Sequence, residues 1–411
     1  MTELPVSVIV VSRGRPDALE RCLAGLSQLQ YDPFEIIVVA DPGGIAAVRA
    51  APFAEKLKLV PFDQPNISAA RNLGIAQAAG EVVAFIDDDS VPEPLWLRHL
   101  VAPAAQSDVA AMGGYVRGRN GISFQWKARS LDPMGEAHNI DLDPVSPSVL
   151  TPPKGRAIKT EGTNMAFRRS VLVELGGFDP AFHYFLDETD LNMRLARAGH
   201  KTAIVPLAEV HHGFAANATR TAQRVPRDLF DIGASWAVFQ RKHVPEGDRS
   251  DQWKRLRDEQ RRRLLTHLVE GGLEPRDLPR LMRRLDAGYD EGRVRAFGAG
   301  QLAAHPSKPF WCFKAEVRVS KLISTSPMRE RKDYVEAKER VKNGEIITIL
   351  NLSRSTMYHT VSFQKDGIWV QKGGIYGKSD RIQPLFVVTT KARRIIMERA
   401  RVSGQRGLGK D

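Results

Sequence analysis

The sequence predicts an α/β fold: a mostly parallel sheet flanked by helices, then a basic helical segment and a small β-rich C-terminal region. Two observations carry this. Apolar runs of strand length alternate with stretches of helical period through the first 220 residues, the pattern of a parallel sheet covered on both faces. One of those runs, Val82-Val83-Ala84-Phe85-Ile86, ends in three carboxylates, Asp87, Asp88 and Asp89. That placement sets a cluster of hard oxygens at the carboxyl edge of the sheet, where open α/β folds take their ligands.

The elements follow in order. Residues 6–11, after Pro5, form the first expected strand. Arg15-Pro16-Asp17 opens a helix whose Leu19, Cys22, Leu23, Leu26 and Leu29 recur along one face. Residues 35–40 make a second strand, stopped by Asp41-Pro42-Gly43-Gly44, a turn sequence in its own right. A short strand at 58–62 leads to a helix over 68–79, which Gly80 ends. The aspartate-tipped strand comes next. Ser90-Val91-Pro92-Glu93 has capping-box form, so a plain helix cap is the alternative to metal chemistry at the aspartates. Five prolines between 131 and 155 mark a long irregular segment of the kind that forms lids and binding loops. Helical character returns over 169–175 and 187–198; a strand is expected at 203–206, and Glu209-Val210-His211-His212 leads out of the domain.

From about residue 220 the texture changes. Charged helices are expected over 226–300, including 253–270 with its Arg261-Arg262-Arg263 block. Strands are expected at 345–350 and 360–363, with turns at Gly367 and Gly373-Gly374. The Gly-rich, basic tail from Arg401 is expected to fray. The expected division is 1–222, 223–310 and 311–411, consistent with 411 residues exceeding one core.

Charge divides along the same line. Residues 1–220 hold 21 Lys and Arg against 25 Asp and Glu, a net −4; the rest of the chain holds +16 of the total +12. The basic half suits an anionic membrane surface or acidic glycan, though a solvated surface explains it equally well. Trp253 and the arginine block invite nucleic acid, but no RNA- or DNA-binding motif accompanies them, so none is expected as a partner. No apolar run is long enough to cross a membrane, and the N-terminus lacks a signal-peptide pattern. With only Cys22 and Cys312, a reduced, cytoplasmic setting is expected, extending to the inner face of the cytoplasmic membrane.

Carboxylates held together repel unless a cation or proton intervenes, and a divalent ion that also grips phosphate resolves that repulsion. Four stretches, at 6–15, 35–44, 66–89 and 162–212, carry the constellation further: Ala40-Asp41-Pro42-Gly43, Ala70-Arg71-Asn72-Leu73-Gly74, Phe85 to Asp89, Gly162-Thr163-Asn164, Gly176-Gly177-Phe178-Asp179, Asp187-Glu188-Thr189-Asp190-Leu191 and His211-His212. Together they resemble the family 2 glycosyltransferases, inverting enzymes of the GT-A fold, over residues 5–215. Two departures stand out: Ala40 replaces the first aspartate of the family's "DDGS", and Asp187-Glu188 inverts its "E-D" pair.

The resemblance implies a nucleotide-diphosphate sugar, UDP first, as donor, and Mn²⁺ or Mg²⁺ as cofactor. It implies Asp87, Asp89 and His212 as metal ligands, with His211 the lesser choice for the histidine. It places Ser12, Arg15, Asp41, Arg71, Asp87 and Asp88 with the nucleotide sugar, and Gly162, Thr163 and Asn164 with the acceptor. Glu188 is the implied general base, with Asp187 in support and as its rival. Against this stand simple readings: Asp187, Glu188 and Asp190 favour a helix dipole, and Asp190 and Arg194 are spaced as a surface pair. A glycosidase pair would need neither the metal cluster nor the strand-end aspartate. The expected acceptor is a surface glycan or a lipid-linked oligosaccharide; the competing reading is a silent glycan-binding or scaffolding module that keeps the fold.

Overall fold

The computed structural model describes residues 3–409. Its main sheet has ten strands among the described residues. Val6–Ser12 lies between Phe34–Ala40 and Val82–Asp87, parallel to both, and Lys58–Pro61 extends the sheet beyond Phe34–Ala40. Nearly every residue of these strands is buried, as their continuous apolar runs require when helices cover both faces. Helix Pro16–Leu26 packs Leu19, Cys22, Leu23 and Leu26 on one face; helix Ile67–Gln77 packs Ala70 and Ile75 on the other.

The far half of the sheet was harder to anticipate. Asn164–Arg168 runs antiparallel between Val82–Asp87 and Val109–Arg117, and Lys201–His212 lies parallel to Val109–Arg117. Val109–Arg117 is fully buried, yet its Gly113-Gly114 pair and flanking polar residues hide it from a propensity reading. Gly114 is there because a Cβ would stand 2.0 Å from the Ala208 carbonyl oxygen of the next strand. Within the proline-rich segment, Ser148–Leu150 pairs with the outer edge of Lys201–His212.

The capping-box alternative fails. Ser90–Pro92 is a short strand, not a helix start, and it pairs antiparallel with the end of Lys201–His212, Ser90 opposite His212. This pairing holds the third aspartate beside the second histidine.

The second half begins with helices Phe230–His243, Glu246–Val269 and Asp277–Val294. The first and third meet closely enough that a Cβ on Gly288 would stand 1.9 Å from the Phe230 carbonyl oxygen. Residues 307–313 then return across the first half, where Phe313 donates its N–H to Phe34 O at 2.7 Å and its ring joins the main core. The C-terminal region is a four-stranded sheet in the order Val319–Thr325, Glu345–Ser353, Trp369–Gly374, Thr360–Phe363, with helices Glu330–Lys342 and Lys391–Arg406.

The tail does not fray at Arg401. Its helix continues to Arg406, which is 1% exposed and donates to both oxygens of Glu93 at 2.7 and 2.8 Å. Arg401 and Arg406, basic residues that read as a solvated end, pair with Glu398 and Glu93; of the tail, 410 and 411 lie outside the described residues.

Candidate functional site

Register gathers the chemistry. Ser12 stands opposite Ala40, and Val11 opposite Asp87, so three strands end on one edge. Beyond that edge lies a cleft of about 840 Å³, walled by Arg71, Asp87, Asp187, Glu188 and His212 on the sheet side and by part of helix Glu246–Val269 on the other.

The three aspartates take different surroundings. Asp87 is the only one whose side chain reaches the cleft, and it is 30% exposed. Asp88 is buried, accepts from Ser12 Oγ at 2.7 Å and pairs with Arg15; burial pushes its carboxyl up to about 7 against that pairing. Asp89 is also buried, which alone would raise it, but His212 and Arg15 hold it well below the usual carboxylate range. Its other support is the Ala215 N–H, at 2.8 Å from Oδ2.

His212 fits a metal. Its Nδ1 lies 2.9 Å from Gln125 Oε1 and its Nε2 3.4 Å from Asp89 Oδ1; with the ring proton on Nδ1, donated to Gln125, Nε2 would take a cation in place of the proton it shares with Asp89. Atoms of Asp87, Asp89 and His212 lie within 4.8 Å of one another. Two acids and an imidazole, all lone pairs converging, suit a borderline-hard divalent ion such as Mn²⁺. His211 does not join them: its Nε2 faces Glu93 Oε1 at 2.8 Å on the opposite side of the strand. A second acid–histidine group, Glu93, Glu209 and His211, is already neutralised by Arg406 and Arg117.

Across the cleft floor, helix Asp187–Arg197 presents the acidic pair. It starts from two consecutive left-handed non-glycine residues, Phe185 (φ 72°) and Leu186 (φ 67°). Such backbone is held only where packing over-determines it. Here Leu186 is buried in a cluster with Trp236 and Phe239. Asp187 is buried against the Arg71 guanidinium; burial pushes it up to about 7 despite that neighbour. Glu188 receives Lys159 Nζ at 2.9 Å, and Lys159 overcomes burial to hold it at about 2. Arg71 ties the two ends together: besides Asp187 it donates to Gly162 O at 2.9 Å and lies 3.4 Å from Asp87.

Other expected residues stand elsewhere. Ser12 and Asp88 form a buried bond beneath the edge rather than a cleft surface. Asp41 accepts from Gly44 N and Gly14 N, both at 3.0 Å, the turn chemistry its sequence suggested. Gly162 and Thr163 line the cleft, but Asn164 does not. It is fully buried, donating to Tyr115 O and Ala208 O and accepting from Trp96 Nε1, so its place is a sheet staple rather than an acceptor contact. Lys159, Gln125 and Trp126 are site residues that sequence reading missed. A lone lysine three residues before Gly162 was the one available signal.

Comparison with known proteins gives the family. A family model described as glycosyltransferase like family 2 matches residues 4–230. The O-antigen biosynthesis protein RfbC of Myxococcus xanthus is 28% identical over 258 residues, covering 59% of this chain and 20% of that protein. The probable glycosyltransferase YdaM of Bacillus subtilis is 29% identical over 233 residues, 51% of this chain and 50% of that one. The chain thus spans half or less of these two relatives' lengths. Among solved structures, GalNAc-T7 with UDP, GalNAc and Mn²⁺ aligns at TM-score 0.43 and 19% identity, covering 52% of this chain and 45% of that chain.

Proposed function

The chain belongs to glycosyltransferase-like family 2, and from that premise we propose that it moves a sugar, with inversion, from a nucleotide-diphosphate sugar to an acceptor hydroxyl. What carries the reading is one juxtaposition: the Asp87–Asp89–His212 lone pairs and the Asp187–Glu188 carboxylates face one cleft, bridged by Arg71. Asp87, Asp89 and His212 would hold Mn²⁺ or Mg²⁺, and UDP is the proposed carrier. A cation bound there supplies charge neutralisation for the departing diphosphate.

The protein's own groups do the rest. Lys159 keeps Glu188 ionised and fixed at the cleft wall, where it accepts the proton of the acceptor hydroxyl. Arg71 orients Asp187 and shields the two carboxylates from mutual repulsion. Gly162, without a side chain, leaves room for the acceptor beside Arg71. With the base on one side and the leaving diphosphate on the other, displacement inverts the anomeric centre. One observation favours a second reading in which Asp187 is the base: its raised carboxyl matches a neutral-pH proton acceptor better than Glu188 does.

The proposed acceptor is a surface glycan or lipid-linked oligosaccharide at the cytoplasmic face of a membrane. What supports a peripheral contact is the net +16 of the second half; among the described residues no helix is long and apolar enough to cross a membrane. A thermal-shift series tests the reading. UDP with Mn²⁺ should raise the melting temperature, and EDTA should abolish the effect. Equal shifts with and without EDTA would refute the metal role.

A further inference from the structure

Two arginines of the 261–263 block, Arg262 and Arg263, line the cleft, and the proposed transfer reaction makes no use of them. Helix Glu246–Val269 turns Arg255, Glu259, Arg262 and Arg263 onto one face at helical spacing, and all four line the cleft wall opposite the carboxylates. Arg220 and Arg224 join them from the segment that follows His212. Among the described residues none of these five arginines sits in an ion pair with a carboxylate. Arg257 of the same helix, outside the cleft, closes onto Asp286 at 2.8 Å, and Arg284 of the next helix onto Asp228 at 2.8 Å.

The cluster is also held in place. Arg224 adopts φ 67°, unusual for a side-chain-bearing residue, and its carbonyl accepts from Arg263 Nη2 at 3.5 Å. Its guanidinium lies 4.8 Å over the Phe214 ring, which in turn is 4.5 Å from the His212 ring. Burial, together with the nearby Arg220, lowers both Arg224 and Arg263 from the usual arginine range. Glu259 offsets Arg263 in part, but the arginines outnumber it, and like charges in excess are relieved by an anion.

The donor does not account for that much positive charge. Its diphosphate would meet the cation held by Asp87, Asp89 and His212, while Arg71 and Lys159 are neutralised by Asp187 and Glu188. Glu259 and Glu136 are the remaining acids on the arginine side, with Asp228 already paired. Guanidinium forks match phosphate oxygens, and Trp236 and Leu256 offer an apolar wall beside them.

We propose that Arg224, Arg255, Arg262 and Arg263 form a second anion subsite, which holds a phosphate carried by the acceptor. The proposal rests on the transferase reading and adds the acceptor's chemistry. A lipid phosphate and a sugar phosphate present the same group.

Calorimetry on the full chain saturated with UDP and Mn²⁺ tests it, using farnesyl phosphate and glucose 6-phosphate as probes. At least one should bind, and binding should weaken about tenfold or more in Arg262→Ala/Arg263→Ala and with about 0.5 M KCl. UDP affinity should be unchanged, and Arg257→Ala should alter neither. Because Arg255 is exposed, Arg255→Gln serves as a second variant with little folding risk. Tighter binding of farnesyl phosphate assigns the group to a lipid; tighter binding of glucose 6-phosphate assigns it to a glycan. Two results would overturn the proposal: neither probe binds the loaded protein, or the variants weaken UDP as much as the probes, which would give the arginines to the donor. Failure of the unaltered protein to bind UDP with Mn²⁺ would sink the transferase reading, and this one with it.

Discussion

Glu188 and Asp187 are neighbours with opposite environments, and pH separates them. Lys159 holds Glu188 at about 2, so a Glu188 base stays ionised throughout the neutral range, and kcat/KM should show no acid limb between about pH 5 and 8. Burial holds Asp187 at about 7, so an Asp187 base would lose activity as pH falls through 7. The matching substitutions are Glu188→Gln and Asp187→Asn. The first should lower kcat by about 10²–10⁴-fold while leaving UDP affinity intact. Survival of Glu188→Gln with collapse of Asp187→Asn would reverse the roles. Gln125 makes a quieter prediction. Its acceptance of the Nδ1–H of His212 fixes the tautomer that bares Nε2, so Gln125→Leu should weaken Mn²⁺ affinity about 10- to 100-fold at unchanged melting temperature. An unaltered Mn²⁺ titration would show that the tautomer needs no such support.

Helix Asp187–Arg197 is an element that must be held at its base if its tip is to present Glu188. Asp190 does this work. It is fully buried, with Arg194 at 2.9 Å, Lys242 at 2.7 Å and His243 at 2.8 Å, so it fastens this helix to Phe230–His243. Burial alone would raise its carboxyl, but these partners hold it well below the usual range. A depressed carboxyl contributes stability that is complete above its unfolded value near 4 and is lost as pH falls below it. Asp190→Ala should therefore cost about 3–5 kcal/mol at neutral pH, read by denaturant unfolding, because it strands buried positive groups. The cost should shrink in acid. Half of this is legible locally: Asp190 and Arg194 have the right spacing for a pair, but Lys242 and His243 come from a helix some fifty residues on, and no local pattern points to them.

That contrast holds for the whole molecule. The parallel core was legible because Val6–Ser12, Phe34–Ala40 and Val82–Asp87 are buried on both faces and read as unbroken apolar runs. The proposed metal ligands Asp87 and Asp89 were legible because carboxylates end such a run. Val109–Arg117 was not, since glycines replace the β-branched residues where strands approach closely. Nor was the link between C-terminal helix and active edge, because Arg406 and Glu93 are separated by 313 positions and each alone looks like a surface charge. Arg406 pairs with Glu93 beside His211, the neighbour of His212, and stacks over Trp369 at 4.3 Å. Removing residues 301–411 breaks this buried pair, so loss of folded protein is expected. Arg406→Ala should lower stability by about 3–5 kcal/mol, and melting curves decide it.

Asp87, Asp89 and His212 are proposed to hold a cation through which the cleft takes a nucleotide diphosphate. Calorimetric titration of UDP into the full chain tests it most directly, with Mn²⁺, with EDTA, and with Mn²⁺ on Asp89→Asn. Saturable binding is expected in the first case alone. Equal binding in all three, or none to folded protein supplied with Mn²⁺, would contradict it.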